Sequence, residues 1–238
     1  MLTETVASVP TPHGDVVFRG DLTGRPVVLL IGGVFEGERA YCRLAEYLPG
    51  VDAIVAHLPG NHCPPLADWK ISTWGAAFDV AAKAHFGAAR FIVGGISTGA
   101  LVALSMTGHA GVVLSDPPLR PHRAWPLHRL RDEGPDDRWP LISSVFGIYR
   151  NRIEPRNYAP LLRKLSSPAI ALVGGDALGE PRSFEFMPSL VDPRSLDDLR
   201  LHPGLDIRIV PDVGHGIPLR AGRALVDALN DMARRVLL

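Results

Sequence analysis

The sequence predicts an α/β fold: a mostly parallel, twisted sheet flanked by helices. Three observations carry this prediction. Six short apolar runs recur along the chain, each stopped by glycine or proline. Stretches with helical spacing of apolar residues lie between them. The runs are near-continuously apolar rather than alternating, as strands covered on both faces require. The chain has 238 residues, 46% of them hydrophobic and 21% charged, which suits a single α/β domain.

The elements follow in order. The first 20 residues read as an antiparallel hairpin, with Val16-Val17-Phe18 after a Pro-His-Gly-Asp turn and at the sheet edge. The apolar runs are Val27–Ile31, Asp52–Ala56, Phe91–Val93, Gly111–Leu114, Ala169–Val173 and Ile207–Val210. Helical patterns span Glu38–Leu48, Ser72–Phe86, Thr98–Met106 and Ala221–Leu238. Strands alternating with helices imply βαβ crossovers.

One stretch breaks the alternation. Residues 117–168 are rich in proline, arginine and tryptophan, and ten cations against five acids leave it at +5. A structureless loop of that length is improbable inside a compact domain. The expectation is a core of residues 1–117 and 168–238, with a small helical cap, 118–167, inserted after the fourth apolar run. Cap helices are predicted near 139–151 and 157–165.

Twenty-five basic residues balance 25 acidic ones, which gives no reason to expect nucleic acid or an anionic membrane as partner. Cys42 and Cys63 make neither a disulfide framework nor a CxxC pair. The first residues, Met-Leu-Thr-Glu-Thr-Val, lack the pattern of a signal peptide, and no apolar run approaches the roughly 18 residues of a membrane span. A cytoplasmic protein is expected.

The chemistry centres on Gly95-Ile96-Ser97-Thr98-Gly99, a G-x-S-x-G run between an apolar strand and an apolar helix. A turn this tight strains the serine backbone, and flanking glycines remove the Cβ atoms that would clash. The serine then stands at a helix N-terminus, where N–H groups favour developing negative charge. Ser97 is the candidate nucleophile. His215, in Val213-Gly214-His215-Gly216 after the last apolar run, is the candidate base, because the same sheet edge carries the elbow. The acid that orients the base is assigned to Asp176, which ends the fifth run and falls between serine and histidine in chain order. Asp116, ending the fourth run, is the alternative. Candidate oxyanion donors are the amides of Thr98, Gly33 and Val34. His57 and His62 lack a third ligand at suitable spacing, so no metal is expected.

These pieces resemble the α/β-hydrolase superfamily across essentially the whole chain. They are Leu29-Leu30-Ile31-Gly32-Gly33, His57-Leu58-Pro59-Gly60-Asn61-His62, the Ser97 elbow, Leu172-Val173-Gly174-Gly175-Asp176 and Val213-Gly214-His215. The resemblance implies eight strands, a cap after strand six and a serine nucleophile that needs no cofactor. It also shows two departures. Gly32-Gly33 replaces the usual His-Gly, and the usual register of the acid after Gly175 lands on Leu178.

The expected function is a serine hydrolase cleaving a small-molecule carboxylic ester or thioester through an acyl-enzyme. In the cap, Trp125, Trp139, Phe146 and Tyr149 are candidate substrate-lining residues, though at such spacing aromatics also serve cap packing. The cap charge suits an anionic or carrier-linked substrate, or simply a solvated face. Two rivals use the same scaffold: a ligand-binding protein without catalysis, and an acyltransferase or lyase.

Overall fold

The computed structural model describes residues 5–34, 41, 44, 46–166, 168–179 and 187–238. Eight strands form one sheet: β1 Val6–Thr11, β2 Gly14–Arg19, β3 Val27–Ile31, β4 Asp52–Ala56, β5 Phe91–Ile96, β6 Gly111–Ser115, β7 Ala169–Gly174 and β8 Leu205–Val210. Their spatial order is β1-β2-β4-β3-β5-β6-β7-β8. The β1–β2 hairpin pairs antiparallel to β4 through Phe18 and Arg19, and every neighbouring pair from β4 to β8 is parallel.

The apolar runs of β3 to β7 are strands because both of their faces are covered, whereas β8 is a half-buried edge strand. Along β3, Val27, Leu29 and Ile31 join one core cluster, while Val28 and Leu30 join the other. Helices α1 (Ile71–Phe86) and α2 (Thr98–Ser105) cover the first face. In α1, Ile71, Trp74, Phe78, Ala81, Ala82 and Phe86 are buried at helical spacing, and Gly87 at φ 60° stops it. The C-terminal Gly222–Val236 helix covers the second face with Leu225, Leu229 and Met232. Burying one such side chain contributes about 1.5–3 kcal/mol. The helix expected at 38–48 falls largely outside the described residues, although Tyr41 and Leu44 are helical and buried.

A helix that the hydrophobic pattern did not signal, Pro193–Arg200, precedes β8. It is short and polar, and its start is fixed by Asp192, whose side chain accepts from Ser195 N–H at 3.0 Å, with proline at the first position.

Residues 117–166 form a string of short helical segments. The helix expected over 139–151 ends at Phe146, because Gly147 turns left-handed (φ 70°) and the chain doubles back to bridge Ile148 with Ile153. A Cβ at Gly147 would sit 2.2 Å from Glu154 O. The helix expected at 157–165 is a 3-10 helix, Ala159–Lys164. Leu119, Leu127, Leu141, Phe146 and Leu162 join the same core cluster as β3 and β5, so this segment shares the core of the sheet. Its charge is largely paired: Arg120, Arg123, Arg129, Arg138, Arg150, Arg152 and Arg156 each meet a carboxylate. Among the described residues no helix is long and apolar enough to cross a membrane.

Candidate active site

The parallel register aligns the carboxyl ends of β5 and β6, pairing Ile96 with Ser115. The next residue on each strand is therefore Ser97 and Asp116, side by side. Both take positive φ, 55° and 47°, a conformation that costs a non-glycine residue of order 1–3 kcal/mol. Ser97 N–H donates to Ser115 O at 2.9 Å, and Asp116 N–H donates to Leu172 O at 2.8 Å. Each strained residue is thus pinned to the neighbouring strand.

Glycines make the elbow possible. A Cβ on Gly99 would lie 2.2 Å from Ile31 O and 2.6 Å from Gly32 O. One on Gly95 would lie 2.5 Å from Ala100 Cα. The first turn of α2 rests directly on the end of β3 and on the elbow itself.

His215 arrives on the loop after β8. Its N–H donates to Met187 O at 3.0 Å, and Gly214 lets the two backbones approach, since a Cβ there would meet Met187 O at 2.0 Å. The imidazole lies between serine and acid: Nε2 is 3.0 Å from Ser97 Oγ and Nδ1 is 2.7 Å from Asp116 Oδ2. A carboxylate only accepts, so Nδ1 carries the proton and Nε2 accepts from the Ser97 hydroxyl. Asp116 is fully buried. It also accepts from Gly174 N–H (3.1 Å), Ser189 Oγ–H (2.5 Å) and Leu190 N–H (2.8 Å). These donors fix the orientation of the carboxyl group.

Of the two aspartates offered by the sequence, the structure places Asp116, the alternative, against His215, and not Asp176, the preferred one. Register gives the reason. Ser115 pairs with Leu172, so Asp176 lies three residues beyond the level of Asp116. It lines a cavity of about 470 Å³ with Met187, Asp212, Gly214, Gly216 and Arg220. Its backbone bonds instead, N–H to Val213 O at 2.9 Å and C=O from Ser189 N–H at 2.8 Å.

The candidate oxyanion donors fall where the loops meet. Thr98 N–H lies in the first turn of α2, where a helix has no internal acceptor. The Gly33 peptide is held on both sides, its N–H donating to Tyr41 Oη and its C=O accepting from Asn61 Nδ2, each at 3.2 Å. Tyr41 and Asn61 are buried, and sequence reasoning assigned neither a role. Val34 packs half-buried against the core.

The four cap aromatics separate. Phe146 belongs to the core. Trp139 lies under the Arg150 guanidinium, 4.7 Å from its carbon, and Tyr149 under Arg152 at 4.0 Å. Tyr149 also lines a cavity of about 560 Å³ with Trp69, Lys70 and Arg156. Trp125 Nε1–H donates to Gly179 O at 2.9 Å, tying this segment to the loop after β7. The His57 and His62 rings lie 5.5 Å apart, and among the described residues no three ligating side chains could hold a metal. Burial pushes the Cys63 thiol up, and Cys63 Sγ–H donates to Leu58 O at 3.2 Å. Neither feature suits a second nucleophile.

No family model matches the chain, and no curated protein does. Solved structures do match. An esterase from Thermogutta terrifontis, solved with malate bound, superposes with a TM-score of 0.69 at 20% identity, covering 98% of this chain and 100% of the esterase. An esterase from Pyrococcus furiosus gives 0.68 at 13%, covering 100% and 92%. A thioesterase domain from the curacin biosynthetic pathway gives 0.64 at 14%, covering 94% and 98%. The chain has the α/β-hydrolase fold.

Proposed function

We propose that this chain, an α/β-hydrolase in fold, is a serine hydrolase cleaving a small-molecule carboxylic ester or thioester. One observation carries the reading: the continuous hydrogen-bonded line Ser97–His215–Asp116, with the serine held on a strained elbow at a helix N-terminus. The fold alone would not imply hydrolysis.

Ser97 Oγ attacks the substrate carbonyl as His215 Nε2 takes its proton. The oxyanion is held by Thr98 N–H and by Val34 N–H, since Gly33 N–H, the other candidate from that loop, donates to Tyr41 Oη. His215 passes the proton to the departing alcohol or thiol, and the carbonyl–heteroatom bond breaks. Water then attacks the acyl-enzyme, giving its proton to His215 and releasing the acid as Ser97 is reprotonated. Asp116 accepts from His215 Nδ1–H and stabilises the imidazolium in both steps.

An ester or thioester is favoured over an amide because its leaving group departs more readily. The named activities of the structural neighbours, esterase and thioesterase, agree with that choice. Pairing of most cap arginines with carboxylates weakens the case for an anionic or carrier-linked substrate drawn by long-range charge.

The test is labelling by a fluorophosphonate, read by intact mass and peptide mapping, followed by a panel of esters and thioesters. The adduct is expected on Ser97, and it is expected to be lost in Ser97→Ala and His215→Ala. A folded wild type that takes no label would overturn the reading.

A further inference from the structure

The segment Met187–Asp192 runs behind the acid–base pair and touches both members. Met187 C=O accepts His215 N–H at 3.0 Å. Leu190 N–H donates to Asp116 Oδ2 at 2.8 Å, and the Ser189 hydroxyl donates to Asp116 Oδ1 at 2.5 Å. Ser189 is fully buried and fixed at two further points. Its N–H donates to Asp176 C=O at 2.8 Å, and its Oγ accepts Val191 N–H at 3.1 Å. A hydroxyl has one proton to give. With Val191 N–H on the acceptor side of Oγ, that proton points at the carboxylate.

We propose that Ser189 is a positioning residue that acts on His215 through Asp116, an inference that rests on the hydrolase reading above. The two backbone donors to Asp116 come with the fold. Ser189 supplies the side-chain donor opposite His215. Without it, Oδ1 keeps only the longer bond from Gly174 N–H at 3.1 Å while Leu190 N–H still holds Oδ2, and the carboxyl plane is less tightly fixed about its last torsion, where wells are broad. The Asp116–His215 bond then loses its direction, and the imidazolium formed in each step is less well stabilised. Ser189 bonds Oδ1, the oxygen His215 does not face, so substrate binding is expected to be unchanged.

The experiment is a double-mutant cycle with p-nitrophenyl butyrate hydrolysis and fluorophosphonate labelling of Ser97 as probes. It uses wild type, Ser189→Ala, Asp116→Asn and the double variant. Ser189→Ala is expected to lower kcat and the labelling rate about tenfold, with KM within twofold, and to cause no further loss in the Asp116→Asn background. Ser189→Cys, which nearly keeps the volume and a weaker donor, is expected to recover part of the rate. It carries the cycle if the alanine variant unfolds. Equal losses in both backgrounds, or wild-type kcat in the folded Ser189→Ala variant, overturn the proposal while the labelled wild type upholds the hydrolase reading. A wild type that takes no label overturns both together.

Discussion

His215 Nδ1 lies 2.7 Å from Asp116 Oδ2, across 99 residues of chain and three adjacent strands of the sheet. Asp116 stands just past β6, level with Ser97 by the β5–β6 register.

That relationship predicts unequal effects for two aspartates. Asp116→Asn is expected to keep the fold and to lower kcat for ester hydrolysis by roughly 10³–10⁴, the order seen when a triad acid is neutralised. Asp176→Asn leaves the backbone bonds of Asp176 in place and is expected to stay within about threefold of wild type. Steady-state kinetics of both purified variants decide it. The opposite ranking would return the acid to β7.

The sheet was legible because both faces of β3 to β7 are buried, which leaves an unbroken apolar signature in sequence. The positions of Ser97 and His215 were legible because Gly95, Gly99 and Gly214 beside them leave no room for a Cβ, which would meet neighbouring backbone at 2.0–2.5 Å. The acid was harder. Asp116-Pro117 reads equally well as a turn, and choosing it required the β5–β6 register, a long-range property. The short helical segments of 117–166 were misjudged for a related reason. Helical spacing runs through Gly147, but contact with Glu154 O reverses the chain there. The roles of Tyr41 and Asn61 left no local signal, since each meets Gly33 only after the loops have folded.

The elbow predicts a steep cost at Gly99. Its missing Cβ faces carbonyl oxygens of the β3 end, which cannot move without opening the sheet. Gly99→Ala is expected to destabilise by roughly 3 kcal/mol and to abolish labelling of Ser97. Gly204→Ala is the control, because its Cβ would meet only His202 Cε1 at 3.8 Å. Thermal melts followed by circular dichroism compare the two, and equal melting temperatures would refute the close-packing argument.

Asn61 predicts an effect on rate without one on binding. Its Nδ2 holds the Gly33 carbonyl at 3.2 Å, and so fixes the tilt of the peptide leading to Val34. Asn61→Ala is expected to lower kcat about tenfold, or roughly 1.4 kcal/mol of transition-state stabilisation, with KM near wild type. A change confined to KM would assign Asn61 to substrate contact instead.

The start of β4 predicts an acid limb of stability. Asp52 is buried. Burial alone would raise its carboxyl, but Thr23 and Arg25 donate to it from backbone and side chain, and together these bonds hold it below the usual carboxylate range. A depressed folded value means the unfolded chain takes up the proton first. The contribution is therefore complete above the unfolded value near 3.9, and is lost as pH falls from there through the lower folded value. Asp52→Asn is expected to cost about 2 kcal/mol at pH 7, the order of hydrogen bonds to a charged group. Its difference from wild type should shrink as pH drops from about 5 to 2.5. Urea titrations of both proteins across that range measure it, and a difference independent of pH would mean that Asp52 contributes through packing and not through its charge.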